Sequence, residues 1–274
     1  AKAGSGVNRM ARQIIESPVP VPAWLHALGA PTAQRLLDWE QAQAEAVLAD
    51  VFGYHALQAG GWGLDALATN RMPHRWHARL EFESADWLAD LAFDSRAWPW
   101  PADALDLVVL PHTLERSADP HACLREVERV LIPEGQVLIT GLNPWSLWGW
   151  HQRRAQRSAS DPSPWPVQAI APHRLRDWLH LLGFEVQIQR FAGWTPNWSS
   201  ERWVQRMAWL ETLGARWCPI VGGVYLLLAT KRVPGGHLLP GKAWRKVPSR
   251  AALVAPAARW PDTARTAPDP ESRS

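Results

Sequence analysis

The sequence predicts an α/β protein built on a parallel sheet, and three observations lead there. The short β-branched run Leu105-Asp106-Leu107-Val108-Val109-Leu110 is too brief for a helix and reads as a buried strand. Asp119-Pro120 then offers an N-cap and the residue type suited to a first helical position, and Cys123, Leu124, Val127, Val130 and Leu131 recur on one helical face. After Pro133-Glu134-Gly135 stops that helix, Gln136-Val137-Leu138-Ile139-Thr140 reads as the next strand. A strand, crossover helix, strand unit is parallel, and open parallel sheets bind ligands in the crevice at the carboxyl ends of their strands. Asp94, His112 and Asn143 fall at such ends.

The remaining elements follow in chain order. Residues 1–22, closing on Pro18-Val19-Pro20-Val21-Pro22, are expected to be flexible. Thr32 to Val47 predicts a helix capped by Thr32, with Leu36, Leu37, Trp39, Ala44 and Val47 on its apolar side. Tyr54 to Gln58 reads as the first strand, Ala59-Gly60-Gly61-Trp62-Gly63 as its turn, and Arg75 to Leu80 as the second strand. Gly-rich turns after a first strand let backbone approach a ligand. Residues 150–161, including Arg153, Arg154 and Arg157, are basic and serine-rich and read as a mobile surface segment able to border the substrate. Pro172 to Leu182 and Trp203 to Leu213 predict helices, and Gly223 to Arg232 the last strand. We expect one domain over residues 23–234, followed by a disordered basic Pro- and Ala-rich tail over 235–274.

Several of these segments resemble class I S-adenosylmethionine-dependent methyltransferases of the small-molecule "type 11" branch. The matching residues are Asp94-Ser95 with Trp98-Pro99-Trp100-Pro101, then Leu105-Asp106-Leu107-Val108, then Arg125-Glu126-Val127-Glu128-Arg129-Val130-Leu131-Ile132-Pro133-Glu134-Gly135. The last is similar to the family's Arg-Glu-x-x-Arg-Val-Leu-x-Pro-Gly-Gly, with Glu134 replacing the first glycine. Leu181-Leu182-Gly183-Phe184-Glu185-Val186 resembles the family's approach to its sixth strand.

The resemblance implies a doubly wound, Rossmann-like, seven-stranded and mostly parallel sheet, preceded by an N-terminal helix, with the last strand inserted antiparallel. It also implies S-adenosylmethionine as cofactor, held by Gln58, Gly60, Gly61, Trp62, Glu81 (or Glu83), Asp94, Ser95, Leu110 and Pro111. Gln58 stands where the family has an acid and Trp62 where it has a glycine, so Gln58 would meet the ligand's ammonium without a countercharge. The alternative for Asp94 is an Asx-turn within its own loop. His112, after the fourth strand, is the candidate general base, with Glu115 behind it, against the plainer reading of a loop-stabilising histidine. The implied function is methyl transfer to a small-molecule acceptor. The competing one is a non-catalytic binding module of the same fold, suggested by the altered glycine turn.

Composition narrows the field further. Hydrophobic residues make up 47% of the 274, ample for a core, and no run approaches the roughly 18 apolar residues of a membrane span. The first residues lack the apolar stretch of a secretory signal, so cytoplasm is the default expectation. Residues 235–274 carry seven basic and three acidic side chains, more than the whole net charge of +3. The body is thus near neutral, unlike a nucleic-acid binder, and the tail suits an acidic partner. Two cysteines make neither a disulfide framework nor a metal site, and the sequence has no phosphate loop and no Gly-x-Ser-x-Gly. The 19 tryptophans, many beside proline, either plug gaps between loops and core or wall an aromatic pocket.

Overall fold

The computed structural model describes residues 30–61, 63–81, 89–157, 168–194, 214 and 216–232. Expectations for Trp62, Glu83, the helix over 203–213 and the two terminal segments lie outside them.

Seven strands form one sheet: β1 His55–Ala59, β2 His74–Leu80, β3 Leu91–Phe93, β4 Leu105–Pro111, β5 Leu131–Leu142, β6 Phe184–Ala192 and β7 Val224–Lys231. Their order is β3-β2-β1-β4-β5-β7-β6. The pairs among β1 to β5 are parallel, and β7 runs antiparallel to both β5 and β6. Chain order reverses between β1 and β4, which makes their carboxyl ends the topological switch point.

The helices are α1 Ala30–Leu48, α2 Pro120–Val130, α3 Leu147–Arg157 and α4 Pro172–Leu181. Strand periodicity sorts the core into two layers. Leu57, Val108, Leu110, Val137, Ile139, Tyr225 and Leu227 face α2 and α4, where Leu124, Val127, Leu175 and Leu179 meet them. Their neighbours Ala56, Leu107, Val109, Leu138, Leu226 and Leu228 face Ala44, Val47 and Leu48 of α1. All eight residues of β7 are buried, as a strand with neighbours on both edges and both faces requires.

Three elements differ from the sequence reading. Helix α2 ends at Val130 and β5 begins at Leu131, so Pro133-Glu134-Gly135 interrupts the strand rather than the helix; Glu134 adopts φ +64°, and the β4–β5 register shifts beside it. Part of 150–161 is helical: buried Trp148 lies against Gly193 and Gly223, where any Cβ would come within 2.7 and 2.5 Å of the indole. That packing fixes α3 on the body. β3 has three residues, too few for a periodic signal.

The Trp98-to-Pro101 loop is pinned to α2. The Trp98 N–H donates to Glu126 at 2.9 Å, while Arg129 donates to the carbonyls of Trp98 and Trp100 at 3.1 and 2.8 Å. Trp98 packs tilted and Trp100 edge-on against Phe93, so these two indoles serve as packing. Cys123 is buried in α2, where desolvation pushes its thiol well up; Cys218 is exposed, and both are free.

Candidate functional site

The carboxyl edge of the sheet gathers the expected residues. β1 ends at Ala59, and Gly60 follows at φ +105°, a conformation suited to glycine. Gly60 N–H donates to Ala78 O at 2.9 Å, and Thr113 Oγ1 donates to Ala59 O at 2.7 Å, so the β1, β2 and β4 ends are laced together. Leu110 and Pro111 are buried at the end of β4.

Gln58 is wholly buried, and its amide works inside this turn. Nε2 donates to Gly60 O at 3.1 Å and Leu64 O at 2.6 Å, while Oε1 accepts from Ala66 N–H at 2.9 Å. The amide therefore closes the loop between β1 and residue 66, a role that needs a donor as well as an acceptor. A carboxylate in that place would face two carbonyl oxygens.

Glu81 directly follows β2 and holds Ser95 with both carboxylate oxygens, Oε2 accepting from the Ser95 N–H at 2.7 Å and Oε1 from its Oγ at 2.6 Å. Ser95 Oγ also lies 3.1 Å from Ser117 Oγ. Asp94 forms the Asx-turn: Oδ1 accepts from Arg96 N–H at 2.8 Å, and Arg96 Nε and Nη2 bind the same carboxylate at 3.1 and 2.8 Å. The Arg96 guanidinium holds the Asp94 carboxyl down to about 2.

His112, the expected base, lies buried between two carboxylates. Its backbone takes φ +50°, and Nε2 is 2.8 Å from Glu40 Oε1 while Nδ1 is 3.5 Å from Glu115 Oε2. Burial alone would disfavour the charged ring, but Glu40 and Glu115 outweigh it and raise the imidazole to about 10. An imidazolium carries protons on both ring nitrogens, so this upward shift works against the ring acting as a base near neutral pH. Glu115 also accepts from Leu142 N–H, which ties β5 into the cluster. The sequence offered a sign of Glu40: it sits in the series Leu36, Glu40, Ala44, Val47, on the stripe that α1 buries.

Beside this edge lies a cavity of about 720 Å³, lined at the start of α2 by Asp119 and His121, on α3 by Arg153, and on α4 by Arg174 and Trp178. The Arg174 guanidinium lies 5.0 Å above the Trp178 ring, and the rings of His121 and Trp178 are 3.8 Å apart. Sequence reading placed Arg153 in a segment bordering the substrate but named none of the other four, because the five come from three separate segments.

Residues 66–139 match the type 11 methyltransferase-domain family. That stretch, within this sheet order, makes the chain similar to the class I S-adenosylmethionine-dependent methyltransferases. A solved methyltransferase of this class from Thermotoga maritima is 14% identical and shares the fold with a TM-score of 0.51, over 83% of this chain and 96% of that one. Another, from Archaeoglobus fulgidus, is 19% identical with a TM-score of 0.47, over 71% and 94% of the two chains. The Escherichia coli (strain K12) protein YafS is 40% identical over 88 residues, covering 32% of this chain; the alignment spans 36% of that relative's length. The methyltransferase match begins after the Gly60 turn, so the altered loop stands outside it. Among the described residues no helix is long and apolar enough to cross a membrane.

The residues at the switch point fit the cofactor this class uses. Gly60 takes at the β1 end a positive φ that glycine adopts freely, and Glu81 presents two oxygens with roughly four lone-pair sites, of which Ser95 takes two.

Proposed function

We propose that this chain transfers a methyl group from S-adenosylmethionine to a small-molecule acceptor. What supports the reading is that Gly60, Glu81 and the Asp94-Ser95 pair follow the adjacent strands β1, β2 and β3 along one carboxyl edge, with Glu81 bonded to Ser95. When bound, the cofactor supplies a methyl group already activated on a sulfonium. The chain's part is alignment and exclusion of water, which is worth several kcal/mol in a displacement of this kind.

Glu81 would hold the vicinal ribose hydroxyls with the acceptor sites that Ser95 leaves open. Asp94 would accept from the adenine amine, and Ser95 would turn its N–H from Glu81 toward a ring nitrogen. Gly60 and Gly61 would let the backbone run close beside the ligand, while Leu110 and Pro111 would form the apolar floor. Gln58 acts here by shaping the turn. With His112 held as a cation, an acceptor proton would leave to solvent or to a group on the acceptor itself. The 720 Å³ cavity beside the edge is the proposed acceptor pocket.

A second reading, a binding module without catalysis, draws on one specific feature: the polar groups of Gln58, Asp94 and Ser95 are engaged with protein partners. Calorimetry with S-adenosylmethionine and S-adenosylhomocysteine distinguishes the two. Saturable binding of both at micromolar to submillimolar concentrations is expected, and silence at millimolar ligand would sink the enzyme reading.

A further inference from the structure

The stretch from Gly135 to Ser160 contains no acidic residue, yet it carries three tryptophans and three arginines. In the folded chain these sort by face. Trp148 and Gly149 point inward and are buried, whereas Trp145, Leu147 and Trp150 are 62%, 46% and 56% exposed. Arg153 and Arg154 share the outward side, with guanidinium carbons 5.8 Å from the Trp145 and Trp150 ring centroids respectively. A second apolar group joins them through Asn143. Its Nδ2 donates to the carbonyls of Ile220 and Gly222 at 2.7 and 2.9 Å, and its Oδ1 accepts from Trp145 N–H at 3.0 Å. Trp217 and Ile220, on that neighbouring segment, are 76% and 67% exposed, and Arg216 beside them is exposed too.

We infer that this face docks on an anionic lipid bilayer. Single exposed apolar residues are ordinary, but five large ones joined into a patch are not. The charge pattern chooses the occupant. Guanidinium groups lie directly against the exposed indoles, and Gly135 to Ser160 brings no carboxylate to oppose an anionic surface. Indoles settle at headgroup depth, arginines reach lipid phosphates with paired donors, and a short helix with such a face lies in the plane of the interface. The buried Trp148 holds α3 rigidly, so the face is presented already formed. Arg153 belongs both to this face and to the wall of the 720 Å³ cavity, which places the cavity beside the docked surface. The inference concerns attachment and stands whether or not the chain transfers methyl groups.

Co-sedimentation with vesicles tests it. The chain should pellet with phosphatidylcholine vesicles containing phosphatidylglycerol, and far less with phosphatidylcholine alone. Raising the salt to about 0.5 M should release it. Arg154→Glu should weaken binding at least about five-fold, the effect of one cationic side chain near such a surface. Leu147→Ser with Trp150→Ser should abolish it, while the melting temperature stays within about 3 °C of wild type. Absence of pelleting with the anionic vesicles would overturn the inference. So would equal binding by the variants, tighter binding to an oligonucleotide than to vesicles, or a dimer that the double substitution dissociates.

Discussion

His112 and Glu40 meet at 2.8 Å across the end of the sheet, both buried, from positions 72 residues apart. Glu40 comes from α1 and His112 from the residue after β4, so this contact fastens the N-terminal helix to the switch point. Glu115 on the other side of the ring completes a buried group of three titratable side chains.

The first prediction concerns pH. Against the desolvation that lowers it, Glu40 and Glu115 hold the His112 imidazole up at about 10, compared with 6.5 for the ordinary side chain. A raised value means that its stabilisation is full below about pH 6.5 and is lost as pH climbs toward and through 10. Glu40→Gln should lower stability by about 3 kcal/mol at pH 6, as breaking a buried pair does, and flatten this alkaline loss. Urea melts of both proteins at pH 6, 8 and 10 check it; parallel pH dependences would show that the ring is neutral in the fold.

Restoring the family's acid at the first strand should fail. Gln58→Glu puts a carboxylate against Gly60 O and Leu64 O and removes their donor, at a cost of at least about 2 kcal/mol. We expect a lower melting temperature and weaker S-adenosylmethionine binding. Tighter binding in calorimetry would mean that the turn reopens around the ligand.

Asp94→Ala should reduce S-adenosylmethionine affinity roughly ten- to a hundred-fold, the worth of a hydrogen bond to a charged group, with the fold retained. Because Arg96 holds the Asp94 carboxyl near 2, the contact should persist unchanged from pH 5 to 9. Affinity that is equal in wild type and variant would move the adenine site elsewhere.

Asp119 caps α2 by accepting from Ala122 N–H at 2.9 Å, and it also lines the cavity. Asp119→Ala should lower the melting temperature by about 2–4 °C, while Asp119→Asn, which retains a capping oxygen, should restore most of it. A cavity role would appear separately, as an acceptor KM altered in both variants.

The unit β4-α2-β5 was legible because each junction carries a local signal: the β-branched run, the Asp119 cap and the spacing from Cys123 to Val130. Glu81 and Asp94 could be placed for the same reason, since they stand at strand ends. Their partners could not. Nothing one-dimensional says that Arg96 will fold back on Asp94 or that Ser95 will satisfy Glu81, because local geometry decides both. His112 shows the limit most clearly. Its position was readable, but its basicity depends on a carboxylate 72 residues away, which a position read without its surroundings does not reveal. Glu40 on the buried stripe of α1 was the one available hint, a charge where periodicity calls for an apolar residue.

The insertion of β7 between β5 and β6 has a consequence for how the chain is made. β6 leaves the ribosome before its only neighbour in the sheet exists, and β5 waits with one edge uncovered until Val224 to Lys231 follow. At roughly 5–20 residues per second this leaves the half-built sheet open for a few seconds. During that interval β6, whose residues alternate between exposed and partly buried side chains, has little apolar surface to attract a stranger. The almost wholly apolar strand is reserved for the last place in the order of synthesis, where it is covered on arrival.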